Sequence, residues 1–386
     1  MKTLCVTGTK AERVEKIMTG AAGVNVVITS YDLLKKDVDI YREMPFAVCV
    51  IDEAQYIKNH NTKNSRSVKL INAGLRFALS GTPIENSLAE LWSVFDFIMP
   101  YYLYNYHKFR AKFENAIVKY DDKDAARRLS EMTAPFILRR LKKDVLKELP
   151  AKQESFIEIA LEGKQKDVYA AQALLASKKI RDIGDSPQGK IQVLAHLLRL
   201  RQLCCSPELF LENYQGNSGK LDAALELINE CAAGGHKALL FSQFTSMLAI
   251  IAEKLKALNI GYFLLQGDTR PEERLELVNK FNEGNVPIFL ISLKAGGTGL
   301  NLTAADTVIH YDPWWNLSAQ NQASDRAHRI GQKSVVHVYK LILKDTIEEK
   351  IVLMQQRKKD LFDSIICEGE VDITKMSKEE ILSLLE

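Results

Sequence analysis

The chain has 386 residues, of which 46% are hydrophobic and 26% charged, and its net charge is +3. This length accommodates about two to three domains, and the composition is that of an ordinary soluble globular protein. The small net charge excludes a polycation, so any nucleic-acid contact has to come from local patches. No apolar stretch approaches the roughly 18 residues of a membrane span, and the first residues lack the apolar core of a signal peptide. We therefore expect a cytoplasmic or nuclear protein that has no membrane partner.

The six cysteines do not indicate a metal site. The sequence contains no C-x-x-C pair, and no cysteine has a partner at the spacing of zinc ligands. This pattern predicts buried or free thiols in a reducing compartment, and no structural metal.

Short apolar runs, each followed by a turn and a helical pattern, recur along the chain. Their continuous rather than alternating hydrophobicity predicts strands buried on both faces, and their alternation with helical patterns predicts parallel sheets. The runs form two clusters, and helical patterns over 101–143 and 164–206 lie between them. We therefore predict an α/β fold with two lobes and helical insertions. The predicted strands lie in 24–30, 46–55, 75–83, 237–244, 261–268, 286–297, 306–313 and 335–342.

The stretch VCVIDEAQYIKN is an apolar run that ends in two carboxylates, Asp52 and Glu53. Side chains at the carboxyl end of a parallel strand project into the crevice where ligands bind. In that position Asp52 is suited to hold Mg²⁺ and Glu53 to polarise an attacking water. The alternative is a pair of solvated charges that open a helix, where the helix dipole favours them.

A second polar segment, LSGTPIEN, follows another apolar run. The hydroxyls of Ser80 and Thr82 are expected one strand away from the acidic pair, where they can link the carboxylates to whatever the lobe binds. The alternative is a plain turn into a helix. The helix that follows has Ser87 and Glu90 at the spacing of a capping box.

Glycines and arginines cluster in the segment 291–332. Gly296, Gly297 and Gly299 follow a predicted strand and permit close approach of the backbone to phosphate or ribose. Further along, Arg326 and Arg329 are three residues apart and would share one face of a helix.

Arginine is permanently charged and forks onto phosphate oxygens, as arginine fingers require. Gln322 lies one helical turn before Arg326. The alternative is a surface helix with an ion pair to Asp325.

Nearly the whole chain resembles the Swi/Snf family of DNA-translocating ATPases, which belongs to superfamily two of the helicase-fold motors. The resemblance implies two RecA-like lobes that bind ATP and Mg²⁺ in the cleft between them and track double-stranded DNA. Such a protein would lie in the prokaryotic cytoplasm, associated with the nucleoid, or in the eukaryotic nucleus. The matching segments occur in the family's order and are DEAQYIKN, LSGTPIENSLAELWSVFDFIMP, FILRRLKKDVLKELPAK, LRLRQLCCSP, SGKLDAALELI, LLFSQFTSML, LQGDTRPEERLELVNKFN, LISLKAGGTGLNLTAADTVIHYDPWWN and QASDRAHRIGQ.

The resemblance also implies roles for individual residues. Asp52 and Glu53 would serve magnesium and water, Arg326 and Arg329 would reach the triphosphate, and Ser80 and Thr82 would couple the lobes to DNA. Gln322, Gly297 and Gly299 would contact the nucleotide. The candidates for contact with DNA phosphates are Ser242, Gln243, Lys294, Thr298, Asn301, Trp315 and Asn316. Arg139, Arg140, Lys142 and Lys143 form the densest basic cluster, which is either a DNA contact or a solvated helix face.

Four segments follow from this resemblance. Residues 1–150 correspond to the C-terminal part of the first lobe, with a helical insertion at about 101–143. Residues 151–218 form a linker and the helical insertion of the second lobe, 219–345 the second lobe, and 346–386 a helical tail.

One expected motif is absent from this sequence. The family carries a phosphate loop, ending in Gly-Lys-Ser/Thr, well before the acidic strand, and no such loop occurs here. That loop donates several backbone N–H groups and one cation to the β and γ phosphates. We therefore expect the chain alone to be inactive or severely impaired, and its first lobe to expose apolar core. Alternatives are a non-catalytic DNA- or protein-binding module, or half of a split motor completed by a separate chain that supplies the loop.

Overall fold

The computed structural model describes residues 1–81, 88–120, 122–138, 140, 142–182, 187–296 and 299–363. These residues divide into two compact units, one mainly Met1–Leu138 and the other mainly Arg139–Asp360. Within the described ranges, no helix is both long and apolar enough to cross a membrane.

The first unit contains short parallel strands in two separate two-stranded sheets. Strands β1 and β2 pair with each other, as do β3 and β4, and both sheets contribute to one core around Val6, Ile51 and Phe97. The elements are β1 (Thr3–Cys5), α1 (Lys10–Gly20), β2 (Val26–Ile28), α2 (Tyr31–Arg42), β3 (Phe46–Ile51), α3 (Lys63–Lys69), β4 (Ala73–Ala78), α4 (Leu88–Ile98), α5 (Tyr106–Phe109), α6 (Asn115–Tyr120) and α7 (Lys123–Thr133).

Side-chain caps define where several of these helices begin. The Thr9 hydroxyl accepts the Glu12 N–H, and the Glu12 carboxylate accepts the Thr9 N–H, which completes a capping box at α1. Ser30, Thr62, Asn105 and Asp122 cap α2, α3, α5 and α7 through their side-chain oxygens. Each cap satisfies an N–H group that the helix leaves unpaired.

One face of the β3–β4 sheet is exposed. Val48 lies opposite Leu75 and Val50 opposite Phe77, and these outward side chains are 45–60% exposed. On the inward face of the same strands, Ile51 is buried and Cys49 and Ala78 are partly buried. The prediction that these strands are buried on both faces is therefore wrong, because among the described residues only the inward face is covered. The expectation of exposed apolar surface in this unit is confirmed.

The second unit contains a single six-stranded parallel sheet in the order β5-β10-β9-β6-β8-β7. Its elements are α8 (Lys142–Val145), β5 (Lys152–Ile159), α9 (Gly163–Asp182), α10 (Pro187–Cys205), α11 (Gly219–Ala233), β6 (Ala238–Ser242), α12 (Thr245–Ala257), β7 (Tyr262–Leu265), α13 (Pro271–Glu283), β8 (Ile288–Ser292), α14 (Leu293–Gly296), β9 (Thr307–His310), α15 (Leu317–Ser324), β10 (Val336–Leu343) and α16 (Ile347–Asp363).

The central strands of this sheet are buried on both faces. Every residue of β6, β8 and β9 is buried, as their continuous apolar runs predict. One core cluster contains residues of α11 and α12, such as Ile228 and Leu248, and a second contains residues of α13 and α15, such as Phe281 and Ala323. The predicted α/β class and the predicted strands are confirmed, and the regions 101–143 and 164–206 contain helices as their patterns predict.

Candidate functional site

Asp52 and Glu53 follow directly after β3, at its carboxyl end. The Asp52 carboxylate is exposed, and its Oδ1 accepts the N–H of Glu53 at 2.8 Å. The hydroxyl of Tyr31 donates to the Asp52 carbonyl at 2.8 Å. Burial and the nearby Asp52 raise the pKa of Tyr31, so this hydroxyl stays protonated and keeps donating. The backbone of Asp52 is thereby fixed while its carboxylate remains open to ligands.

Glu53 has a left-handed backbone, with φ 50° and ψ 57°. Such a conformation costs a non-glycine residue about 1–3 kcal/mol and clusters at functional sites. Its carboxylate accepts from Gln55 Nε2 at 2.6 Å, and Gln55 Oε1 accepts from Ser80 Oγ at 3.1 Å. The carboxyl ends of β3 and β4 are therefore linked through the side chains of Glu53, Gln55 and Ser80, and the sequence analysis gave no role to Gln55.

The alternative interpretation, in which Asp52 and Glu53 are solvated charges that open a helix, agrees only in part with the structure. A four-residue 3₁₀ turn, Ala54–Ile57, follows Glu53, but the Glu53 side chain does not cap it. Oxygen ligands from carboxylates are those that Mg²⁺ takes, so the residues present fit this ion. The predicted Thr82 and the capping Ser87 lie outside the described residues.

In the second unit, the candidate residues follow the carboxyl ends of the neighbouring strands β9, β6 and β8. Phe241 of β6 pairs with His310 of β9, and Ser242 of β6 pairs with Ser292 of β8. The loops after these strands therefore emerge side by side at one edge of the sheet, which is where α/β sheets bind ligands.

Ser242 is fully buried, and its hydroxyl donates to Asp312 Oδ1 at 2.5 Å. The N–H of Gln243 also donates to this carboxylate, at 3.2 Å. Burial raises the pKa of Asp312 to about 6, although Arg201 and Ser242 oppose this increase. Ser242 thus connects the end of β6 to the loop after β9, and any direct contact of its hydroxyl with DNA would require it to become exposed.

Trp315 and Asn316 lie in the loop that leads into α15. The Asn316 side chain caps this helix by accepting the N–H of Ala319 at 2.9 Å. The Trp315 ring is half-buried, and the guanidinium of Arg201 lies 5.3 Å from its centroid. Both residues therefore have structural contacts in addition to any ligand that they bind.

The glycine-rich segment lies partly outside the described residues. Lys294 and Gly296 are on the short helix α14, whereas Gly297 and Thr298 are not described. Gly299 and Asn301 are exposed, and the Asn301 carbonyl accepts from Asn282 Nδ2 at 2.8 Å.

The two arginines are brought against this glycine-rich segment. The backbone carbonyl of Arg326 accepts the N–H of Leu302 at 3.0 Å, and Arg329 Nη1 donates to the Leu300 carbonyl at 3.3 Å. Gln322 is on α15 and partly exposed.

The prediction that one helical face carries both arginines is wrong, because α15 ends at Ser324 and the chain continues in tight turns. As a result, Arg326 is buried and Arg329 is exposed.

The sequence of this chain is similar to two protein-family models and to several known proteins. Residues 1–209 match the model of the SNF2-related domain, and residues 219–331 match that of the helicase conserved C-terminal domain. A Mycoplasma pneumoniae protein named as an ATP-dependent helicase is 40% identical over 94% of this chain and 34% of its own length. A mouse SWI/SNF-related, matrix-associated, actin-dependent regulator of chromatin, subfamily A member 1, is 35% identical over the full chain and 38% of its own length. The chain thus spans about a third of these curated relatives.

The fold of this chain is also similar to that of a solved structure. The Sulfolobus solfataricus SWI2/SNF2 ATPase core in complex with double-stranded DNA matches with a TM-score of 0.53 and 34% identity, over 99% of this chain and 85% of that one. The parallel α/β units described here correspond to the RecA-like lobes of that core. The chain therefore belongs to the Swi/Snf family of superfamily-two, ATP-dependent helicases and translocases.

Proposed function

We propose that this chain is the larger part of an ATP-driven motor that moves along double-stranded DNA without separating the strands. The observation that carries the proposal is the side-chain link from Glu53 through Gln55 to Ser80, which joins the acidic strand end to the end of the next strand. Such a link transmits the state of a nucleotide at the acidic pair to the segment after β4. The relative that was solved with double-stranded DNA supports duplex DNA as the partner.

In the first unit, Asp52 would hold Mg²⁺ and Glu53 would orient the attacking water. The magnesium ion would supply positive charge that stabilises the transferred phosphoryl group of ATP. The hydrogen bond from Gln55 holds the Glu53 carboxylate in one orientation. The open carboxylate of Asp52 and the fixed carboxylate of Glu53 therefore suit different roles.

In the second unit, Arg326 and Arg329 neutralise charge on the triphosphate, and Gln322 with the glycines Gly297 and Gly299 contributes to the nucleotide site. Both arginines are anchored to the segment from Leu300 to Leu302, so a movement of the glycine-rich loop moves them too. Arginine fingers of this kind act mainly on turnover rather than on DNA affinity.

Duplex DNA binds along the loops at the carboxyl edge of the second sheet. Phosphate contacts of this kind come from lysines, amides and hydroxyls, and they carry little base information. Exposed or half-exposed members of the predicted set are Gln243, Asn301, Trp315 and Asn316, and Lys294 and Thr298 complete it. We assign buried Ser242 to holding these loops through Asp312.

This polypeptide does not hydrolyse ATP efficiently by itself, because its sequence contains no phosphate loop. Single electrostatic groups of that kind are worth ~3–4 kcal/mol each in transition-state stabilisation. A polypeptide segment that carries the loop completes the first lobe, either as part of a longer chain or as a separate chain. The exposed apolar face of the β3–β4 sheet supports this, since parallel sheets are normally covered on both faces.

A second candidate function, a non-catalytic DNA-binding module, is favoured by the same missing loop. Measurements of duplex binding and of translocation distinguish the motor from the binding module. We expect the chain to bind a blunt duplex in preference to single-stranded DNA, with strong salt dependence. With the loop segment supplied, the motor should displace the third strand of a triplex only when ATP is present. Duplex binding without ATP-dependent displacement in the completed protein would establish the binding module instead.

A further inference from the structure

Arg201 of α10 is a buried cation that none of the roles above uses. It is only 3% exposed and lies under the loops that follow β6 and β9. Its Nη1 donates to Gln243 Oε1 at 2.9 Å and its Nη2 to the Pro313 carbonyl at 2.6 Å. Its guanidinium also lies 5.8 Å from the Phe244 ring and 5.3 Å from the Trp315 ring. One side chain from the helical insertion therefore contacts both loops.

The counter-charge for Arg201 is Asp312, whose carboxylate is 3.6 Å from Nη2 and 1% exposed. This carboxylate also accepts from the Ser242 hydroxyl and from the backbone of Gln243. A buried ion pair often contributes no more stability than apolar residues of the same volume. Its geometric effect is more specific, because the planar guanidinium fixes several partners at once.

The contact with Arg201 also fixes the orientation of the Gln243 amide. Arginine has only donors, so Gln243 must present its carbonyl oxygen to the guanidinium. The amide nitrogen Nε2 then remains as a donor, which is buried and has no hydrogen-bond partner among the described residues. Contact of this donor with a phosphate oxygen would require the loop to expose it, so the guanidinium sets the orientation of the amide and of the loop that carries it. Arg201 and Asp312 are themselves too buried to contact DNA.

We propose that Arg201 and Asp312 are positioning residues that hold the loops after β6 and β9 in the arrangement that binds the DNA backbone. This inference rests on the proposed function, because it assumes that these loops are the DNA-binding edge of the second unit. It adds a link between the helical insertion and that edge. The pair acts through Gln243 and Trp315, not by contact with DNA.

The test is duplex affinity, measured by fluorescence anisotropy on the full chain with Asp312→Asn, Arg201→Gln and Arg201→Lys. Loss of the carboxylate makes the protein less negative, so simple electrostatics predicts tighter DNA binding for Asp312→Asn. Positioning predicts the opposite, a loss of about tenfold, and a similar loss for Arg201→Gln. Exposed residues serve as matched charge controls, with Asp222→Asn for the acid and Arg199→Gln for the base. Unchanged or tighter binding by folded Asp312→Asn overturns the proposal.

Arg201→Lys keeps the positive charge but loses the planar guanidinium with its several donors. This variant decides the outcome if the other variants fail to fold. We expect about threefold weaker binding at an unchanged melting temperature, and wild-type affinity would contradict the proposal. Hydrogen exchange at the backbone amides of 243–244, 312 and 314–316 gives a readout that does not depend on DNA. Faster exchange in Arg201→Lys supports positioning, and wild-type exchange overturns it. If the wild-type chain does not bind duplex DNA, the proposed function fails, and the exchange result still decides whether the pair holds the loops.

Discussion

Lys142 donates to the carboxylate of Asp325 at 2.6 Å, and the same ammonium donates to the His328 carbonyl at 3.3 Å. These contacts attach α8 to the turn that carries Arg326. The ring nitrogen Nε2 of His328 lies 2.8 Å from the Pro150 carbonyl and attaches the end of the same segment. Lys142 therefore belongs to a structural contact in this structure rather than to an open basic face.

We predict that Lys142→Gln loosens the segment 140–150 with little loss of global stability. The pair is partly exposed, with side chains 43% and 34% accessible, so its loss should cost under about 1 kcal/mol. Chymotrypsin should cut after Leu146 several-fold faster in this variant and in Asp325→Asn. The control is Lys254→Gln, at an exposed position away from the cleaved bond. Equal cleavage in all three variants would show that Lys142 does not hold this segment in place.

A second prediction concerns Lys220 and Glu348, which form an ion pair with no exposed side-chain surface. Glu348 also accepts the N–H of Leu343, so the pair joins α11 to the start of α16. Lys220→Met leaves a buried carboxylate unpaired and should lower the free energy of unfolding by about 3–5 kcal/mol.

Urea unfolding of the second unit, followed by tryptophan fluorescence, measures this loss. Lys220→Met/Glu348→Leu should recover most of the stability, because no buried charge is left without a partner. Lys254→Met, on an exposed position of α12, is the matched control. A double variant as unstable as the single one would show that the cost comes from packing rather than charge.

The third prediction is a pH dependence from His310. Burial lowers the pKa of His310 from 6.5 to about 3, and nearby Lys340 and Lys152 act in the same direction, while Glu154 opposes them. The folded protein therefore holds the ring neutral while the unfolded chain gains a proton below pH 6.5. Stability from this group is complete above pH 6.5 and decreases as the pH falls towards 3, by about 2 kcal/mol at pH 5.

His310→Gln should remove this dependence. The measurement is the difference in urea stability between wild type and variant at pH 7.5 and at pH 5.0, which cancels contributions from other groups. Asp312, with its raised pKa, contributes in the opposite direction, and the subtraction removes it. A difference that does not change with pH would mean that His310 accepts a proton within the folded protein.

The fourth prediction concerns the exposed face of the β3–β4 sheet. Phe77→Thr should leave the stability of the first unit within about 0.5 kcal/mol, because Phe77 is half exposed and threonine favours strands. The same change should reduce self-association in sedimentation velocity and weaken activation by a loop-carrying segment. Ile51→Thr, on the inward face of the paired strand, should instead destabilise the unit by about 2–4 kcal/mol. Unchanged activation by Phe77→Thr would exclude this face as the docking surface.

Most strands were predictable because buried parallel strands have continuous apolar runs. The three-residue strand β1 was not predicted. Strand β5 was not predicted either, because it pairs with β10 alone at the sheet edge and its sequence, KQESFIEI, is largely polar and exposed. The roles of Gln55 and Arg201 were also missed. Each depends on a partner far along the chain, Ser80 or Asp312, and no local pattern encodes such a pairing.

The arginine turn shows a different reason for failure. Spacing alone indicated a helical face, but α15 ends at Ser324, where Asp325 is bound by Lys142 and the backbone of Arg326 is bound by Leu302. Tertiary contacts therefore determine where this helix ends. The sequence motif identified Arg326 and Arg329 as candidates, whereas the tertiary contacts determine that Arg329 is the exposed one.

The most direct test of the central claim is the rate of duplex-stimulated ATP hydrolysis by this chain, alone and with a polypeptide that carries a phosphate loop. We predict no turnover above the Glu53→Gln background for the chain alone, and duplex-dependent turnover when the loop is supplied. In the completed protein, Arg329→Ala should abolish turnover while DNA affinity changes little. Turnover by the chain alone, removed by Glu53→Gln, would contradict the claim that this polypeptide needs another segment to hydrolyse ATP.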